Sequence, residues 1–165
     1  MKRFAPYLAI LVLGTLLSCA TADVSNPEQS IRDAYTRFSV AVEARDVNAI
    51  MTFYAPDVVA YDAFPPRQYV GAAAYRKSYD AFFDAFPGPV KSEPSDLTIK
   101  AAGTTAYAHG FDKWTATGTD GKPLVVVFRF TDVWRKIGGI WLVVHEHLSV
   151  PVDPVSGQGD FLSKP

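Results

Sequence analysis

The chain has 165 residues, 16 lysines and arginines against 17 aspartates and glutamates, a net charge of −1 and a single cysteine. Balanced charge without a basic run gives no argument for nucleic acid or for an electrostatic membrane patch, and one cysteine excludes an internal disulfide. Aromatic residues make up 13% of the chain, and in so short a protein those rings must line a core, an interface or a pocket.

Residues 1–22 read as an export signal. Lys2 and Arg3 form the positive start, Leu8 to Leu17 an apolar stretch too short to span a bilayer as a mature helix, and Ala20-Thr21-Ala22 a small-residue cleavage site. Cys19, after Leu16-Leu17-Ser18, resembles the cysteine of a bacterial lipobox, which becomes the lipidated first residue. That reading makes the protein a periplasmic or cell-envelope lipoprotein touching membrane only through its anchor; simple cleavage after Ala22 makes it secreted. About 140 residues then remain, enough for one domain.

Asn26-Pro27-Glu28-Gln29 reads as a helix start, with an N-cap, a first-turn proline and a capping-box glutamine. Ile31, Ala34, Tyr35, Phe38, Ala41 and Val42 follow at helical spacing. Asp46 caps a second, short helix expected to end at the Ala55-Pro56-Asp57 turn, and Val58 to Asp62 is short and strand-like. A third helix is expected from Gly71 to about Phe86, stopped by Pro87-Gly88-Pro89. Beyond it, Leu97 to Ala101, Thr104 to Thr117, Leu124 to Lys136 and Ile140 to Val150 read as strands. They are separated by Gly103, Asp120-Gly121 and Gly138-Gly139, turns that join antiparallel neighbours. Helices first and strands later make an α+β domain over 26–151, and the proline- and glycine-rich stretch 152–165 reads as a flexible tail.

The last two strands carry the most information. Side chains alternate across a strand, so Trp141, Val143, His145, His147 and Ser149 share one face, and Leu142, Val144, Glu146 and Leu148 the other. On the partner strand Arg129 and Thr131 oppose Phe128, Phe130, Asp132 and Trp134. The pattern Trp, aliphatic, His, any, His, any, Ser, with the helical half before it, resembles the SnoaL-like branch of the NTF2-like superfamily. That resemblance implies about three N-terminal helices packed on a strongly bent antiparallel sheet, forming a cone with an apolar small-molecule pocket. It also implies cofactor-free proton transfer of isomerase, dehydratase or cyclase type, or else a non-catalytic binding or association module.

Asp62, after Tyr61 and before Ala63-Phe64-Pro65-Pro66, is the leading candidate base, because aromatic and proline walls strip hydration from a carboxylate and raise its pKa. Its position also resembles that of the proton-shuttling aspartate of ketosteroid isomerases. The plain alternative is a turn cap or a pair with Arg67. Within that resemblance Phe38 falls where the family has an oxyanion-binding tyrosine and Thr131 where it has a protonated aspartate, with Asp132 one residue away on the opposite face. A phenyl ring donates no hydrogen bond, so the familiar steroid mechanism is not expected; donors would come from Tyr35, Arg129, His145 or His147.

His145 and His147 are thus expected in the pocket as acid/base or hydrogen-bonding groups, with Tyr35, Phe38, Tyr61, Arg129 and Thr131 around a hydrophobic ligand. A metal would need a third ligand from Asp62, His109 or Glu146, and with Glu146 facing away no metal site is expected. Phe128, Phe130 and Trp134 would then lie on the outer sheet face, where an aromatic patch calls for a homodimer.

Overall fold

A computed structural model of the chain describes residues 26–162. The export signal and Cys19 lie outside the described residues. The first helix, α1, spans Pro27–Glu43, and its Asn26 cap accepts the Glu28 N–H at 3.0 Å. Gln29 does not close a capping box; its amide reaches Asp33 one turn along, at 2.8 Å. Ile31, Ala34, Ala41 and Val42 form the buried stripe, as the spacing requires. Helix α2 (Val47–Met51) is capped by Asp46. It is shorter than expected, because Ala55-Pro56-Asp57 is already inside strand β1 (Tyr54–Tyr61).

A two-residue strand β2 (Tyr69–Val70) leads into α3 (Ala72–Ala85), and then come β3 (Val90–Ala102), β4 (Thr105–Thr117), β5 (Pro123–Ile137) and β6 (Ile140–Ser149). The sheet order is β2-β1-β6-β5-β4-β3. β1 runs parallel to β6, so the sheet is mixed and not wholly antiparallel as the turn signals suggest. Hairpin turns report only sequence neighbours, and a parallel pair made across the whole intervening chain leaves no local mark.

The curved sheet wraps the helices, and two irregularities shape it. In β3 the register shifts between Ser95 and Thr98, with Asp96 at a φ of 50°. There the backbone presses against β4, where a Cβ on Gly110 would stand 2.7 Å from the Ser95 carbonyl oxygen, so only glycine fits. In β6 Trp134 pairs with Val143 but Val133 pairs with His145, which leaves Val144 as an extra, unpaired residue. A β-bulge of one residue reverses the side-chain alternation beyond it.

The corner between α1 and α2 is tied to the end of α3 by Arg45, itself at a φ of 57°. Its guanidinium donates to the carbonyls of Phe83, Phe86 and Gly88 at 2.5, 2.6 and 2.8 Å and lies 4.8 Å from the centroid of the Phe83 ring. These carbonyls belong to the last turn of α3 and the residues after it, where backbone acceptors have no helical partner. Arg45→Ala is expected to cost about 2–3 kcal/mol, the range for charged hydrogen bonds lost to partly buried carbonyls. Chemical denaturation checks this, and an unchanged midpoint would show that water replaces the guanidinium.

Candidate active site

The bulge at Val144 decides what the site contains. Trp141 and Val143 point inward, and after the extra residue Glu146 and Leu148 take the inner positions while His145 and His147 face out. The expectation that the histidines line the pocket and Glu146 points away is therefore reversed. On β5, Phe128, Phe130, Asp132 and Trp134 are all buried. They form the inner face, so the aromatic patch that called for a homodimer is interior. Arg129 and Thr131 do share a face with the histidines, as the pairing of Thr131 with His147 shows, but both are on the exposed side.

Tyr61, expected against the ligand, also belongs to this outer face. Its ring packs edge-on against His145 and His147 at 4.9 and 5.8 Å. The Nδ1 of His145 lies 2.8 Å from the Val59 carbonyl across the parallel strand pair. Tyr61, Arg129, Thr131, His145 and His147 are therefore gathered together, on the wrong side of the sheet for the cavity.

Inside, Asp132 and Glu146 stand opposite each other on neighbouring strands, 3% and 6% exposed. Tyr54 donates to Glu146 Oε2 at 2.8 Å, Tyr75 donates to Oε1, and the Tyr54 and Tyr79 hydroxyls are 2.7 Å apart. Tyr35 donates to Asp132 Oδ2 at 2.5 Å and accepts the Trp134 indole N–H at 3.2 Å. Asp132 Oδ1 is buried and has no hydrogen-bond partner among the described residues. Nearby, Asp112 accepts from Ser92 at 2.8 Å and from the Trp114 indole at 2.7 Å.

Burial in this dry surrounding pushes the Glu146 carboxyl up to about 7, against the opposing pull of the Tyr75 and Tyr54 hydroxyls. Asp132 is raised well above the usual carboxylate range, first by burial and then by the neighbouring Glu146 charge, with the Tyr35 bond opposing. Two carboxyls so placed resist ionising together and titrate as a pair.

Two adjoining cavities reach these groups. The inner one, about 50 Å³, is bounded by Tyr35, Phe38, Asp112, Asp132 and Glu146 among others. The outer one, about 320 Å³, is edged by Asp62, Phe64 and Pro65. They share the walls made by Tyr79, Trp114, Phe128 and Leu148. The inner space admits a small head group or a few waters and the outer one the body of a small molecule. Of the residues expected to act together, the structure thus brings Tyr35 and Phe38 to the inner cavity and Asp62 to the outer.

Asp62 Oδ1 accepts the Phe64 N–H at 3.1 Å, closing the turn before the prolines. Burial raises its pKa, and the N–H groups of Phe64 and Ala63 and the Ser78 hydroxyl partly offset that rise. Among the described residues no three His, Cys, Asp or Glu side chains form a metal-binding set.

The carboxyl pair and its tyrosines escape a reading by strand alternation, because the bulge inverts it. One signal was present: Asp132 shares its face with Phe128, Phe130 and Trp134, and an acid on an aromatic strand face has to be either a defect or a site. Likewise Tyr75 and Tyr79, four residues apart, place two hydroxyls on one stripe of α3.

Comparison with known proteins agrees with this architecture. The chain is similar to an NTF2-like protein of unknown function from Pseudomonas putida KT2440, with 35% identity, 84% of this chain and 96% of that one covered, and a TM-score of 0.76. At the level of fold it is similar to a candidate aromatic ring hydroxylase from Novosphingobium aromaticivorans (18% identity, 74% and 87% covered, TM-score 0.68). A candidate dehydratase of the NTF2-like family from Streptomyces avermitilis is likewise similar (17% identity, 73% and 93% covered, TM-score 0.65). No curated protein matches the chain. Residues 31–153 match the SnoaL-like domain, covering the α1 stripe, both cavities and the bulged hairpin, and the chain belongs to that family.

Proposed function

We propose that the domain binds an apolar small molecule, its body in the outer cavity and its polar head in the inner one, and that Asp62 transfers a proton on it without a cofactor. The observation that carries the reading is Asp132 Oδ1, a buried carboxyl oxygen with no partner among the described residues at the wall of a cavity rich in aromatic rings. A buried carboxyl oxygen that faces a cavity and is not taken up by a neighbouring side chain is available to a ligand head group. Asp62 lies at the other cavity with a raised pKa, which suits a base acting on a carbon acid. The fold-level likeness to a candidate dehydratase is compatible with this chemistry.

Ligands found by thermal shift on the purified protein should lose at least about tenfold in affinity on Leu148→Trp, because Leu148 lines both cavities and the larger ring fills them. Unchanged affinity would place the binding site elsewhere. Asp62→Asn should keep such ligands bound while abolishing incorporation of solvent deuterium into them, a fall on the order of a hundredfold or more. The bond from Phe64 N–H to Asp62 favours a second reading, a binding module with Asp62 as a turn residue. In that case deuterium enters the ligand in neither protein, and Asp62→Asn lowers thermal stability instead.

We also propose that the protein is exported and anchored through Cys19. Cys19→Ala should then move it from the membrane to the soluble fraction, whereas an unmodified mature N-terminus at Asp23 would show ordinary signal cleavage.

A further inference from the structure

Most hydrogen bonds around the inner cavity end on a carboxyl. Trp134 donates to Tyr35 and Tyr35 to Asp132. Tyr54 donates to Glu146, and its hydroxyl is also in hydrogen-bond contact with that of Tyr79. Tyr75 donates to the same carboxyl, and Ser92 and Trp114 donate to Asp112. These donors end, directly or through one hydroxyl, on a carboxyl oxygen, and the oxygen left open to an occupant is Asp132 Oδ1, which carries a proton while the acid is protonated and accepts once that proton has left.

The charges point the same way. Among the described residues the two cavities are lined by Asp62, Asp112, Asp132 and Glu146 and by no lysine, arginine or histidine. Arg45 is committed to the carbonyls beyond α3, and Arg37, 6.0 Å from the centroid of the Phe53 ring, is exposed. An anionic head would meet acids alone, and a carbonyl oxygen would find the tyrosine and serine hydroxyls already spent and only the pair's own proton to accept, with no positive charge behind it. A cation would meet carboxyls and, behind them, the faces and edges of aromatic rings, which attract positive charge over the face.

We propose that the head group is a protonated amine: the domain takes a hydrophobic primary or secondary amine, whose N–H donates to Asp132 Oδ1 while its apolar body fills the outer cavity. This rests on the reading that the paired cavities hold the ligand, and it assigns the ligand's class. The ammonium stands in for the proton that the acid pair otherwise keeps, so binding expels a proton into solvent. Glu146 is faced by Tyr54 from β1, Tyr75 and Tyr79 from α3, Asp132 from β5 and Asp112 from β4, with Asp62 farther out, and none of these supplies a positive charge. Amine affinity should therefore rise as pH rises from 6 to 8.

The test is calorimetric titration of the purified protein with naphthylmethylamine, naphthylmethanol and naphthoate, one ring system carrying three heads. The amine should bind at least about tenfold more tightly than the alcohol, with naphthoate weakest. Its apparent enthalpy should vary with buffer ionisation in the sense of proton release, and Asp132→Asn should erase the preference for amine over alcohol. Equal binding of alcohol and amine, or proton uptake on amine binding, overturns the amine assignment and leaves the cavity reading standing. Tightest binding by naphthoate overturns the assignment as well. Absence of binding by all three overturns both. The wild-type series decides the matter even if Asp132→Asn folds poorly.

Discussion

Deleting Val144 is expected to abolish cooperative folding, although the residue makes no ladder pair of its own. Without the extra residue β6 has one continuous alternation, and one half must turn over. Either Trp141 and Val143 leave the core, or His145 and His147 enter it and Glu146 and Leu148 leave. The first loses about 1.5–3 kcal/mol for each large apolar side chain exposed, and the second buries imidazoles among rings without partners while opening the cavity wall. Either cost is comparable with the whole stability of a domain this size, about 5–15 kcal/mol. Val144→Ala keeps the count of residues and should cost about 1 kcal/mol. Circular dichroism melts of the two variants check this, and a deletion variant melting near the wild type would mean that the bulge migrates along the strand at little cost.

The second large effect is on pH and carries an unusual sign. The Glu146 carboxyl is raised from 4.5 to about 7 in the folded protein, so between those values the folded state holds a proton that the unfolded chain has released. Stability contributed by this group is complete below about pH 4.5 and is lost as pH climbs to about 7. At about 1.4 kcal/mol per pKa unit the loss is on the order of 3 kcal/mol. Asp132, also raised, adds a loss in the same direction.

Glu146→Gln should remove the slope. The amide offers one oxygen where the carboxyl offers two, so either Tyr54 or Tyr75 loses its acceptor at a cost of about 1 kcal/mol. The variant is accordingly expected to be the less stable protein at pH 4.5 and the more stable one at pH 8. Urea denaturation across that range measures the crossing. A wild-type curve that rises from pH 5 to 8, or a glutamine variant with the same slope, would mean that water reaches the pair and ionises it freely.

The sequence by itself determined the elements whose causes are local. The Asn26 and Asp46 caps, the α1 stripe, the span of α3 between Gly71 and Pro87, and the glycine turns between the late strands each follow from side chains within a few residues of one another. It also grouped Phe128, Phe130, Asp132 and Trp134 on one face of β5 and set Arg129 and Thr131 opposite, because alternation along an unbroken strand is geometry alone. What the sequence did not contain is which of those faces is inside. That depends on pairing between strands distant in the chain, on β1 lying parallel to β6, and on one unpaired valine that turns Glu146 inward and both histidines outward. A pattern of period two carries no error signal when a single residue is inserted. Every side chain beyond the insertion exchanges core for solvent, and only the partner strand, by leaving Val144 without a mate, records that it happened.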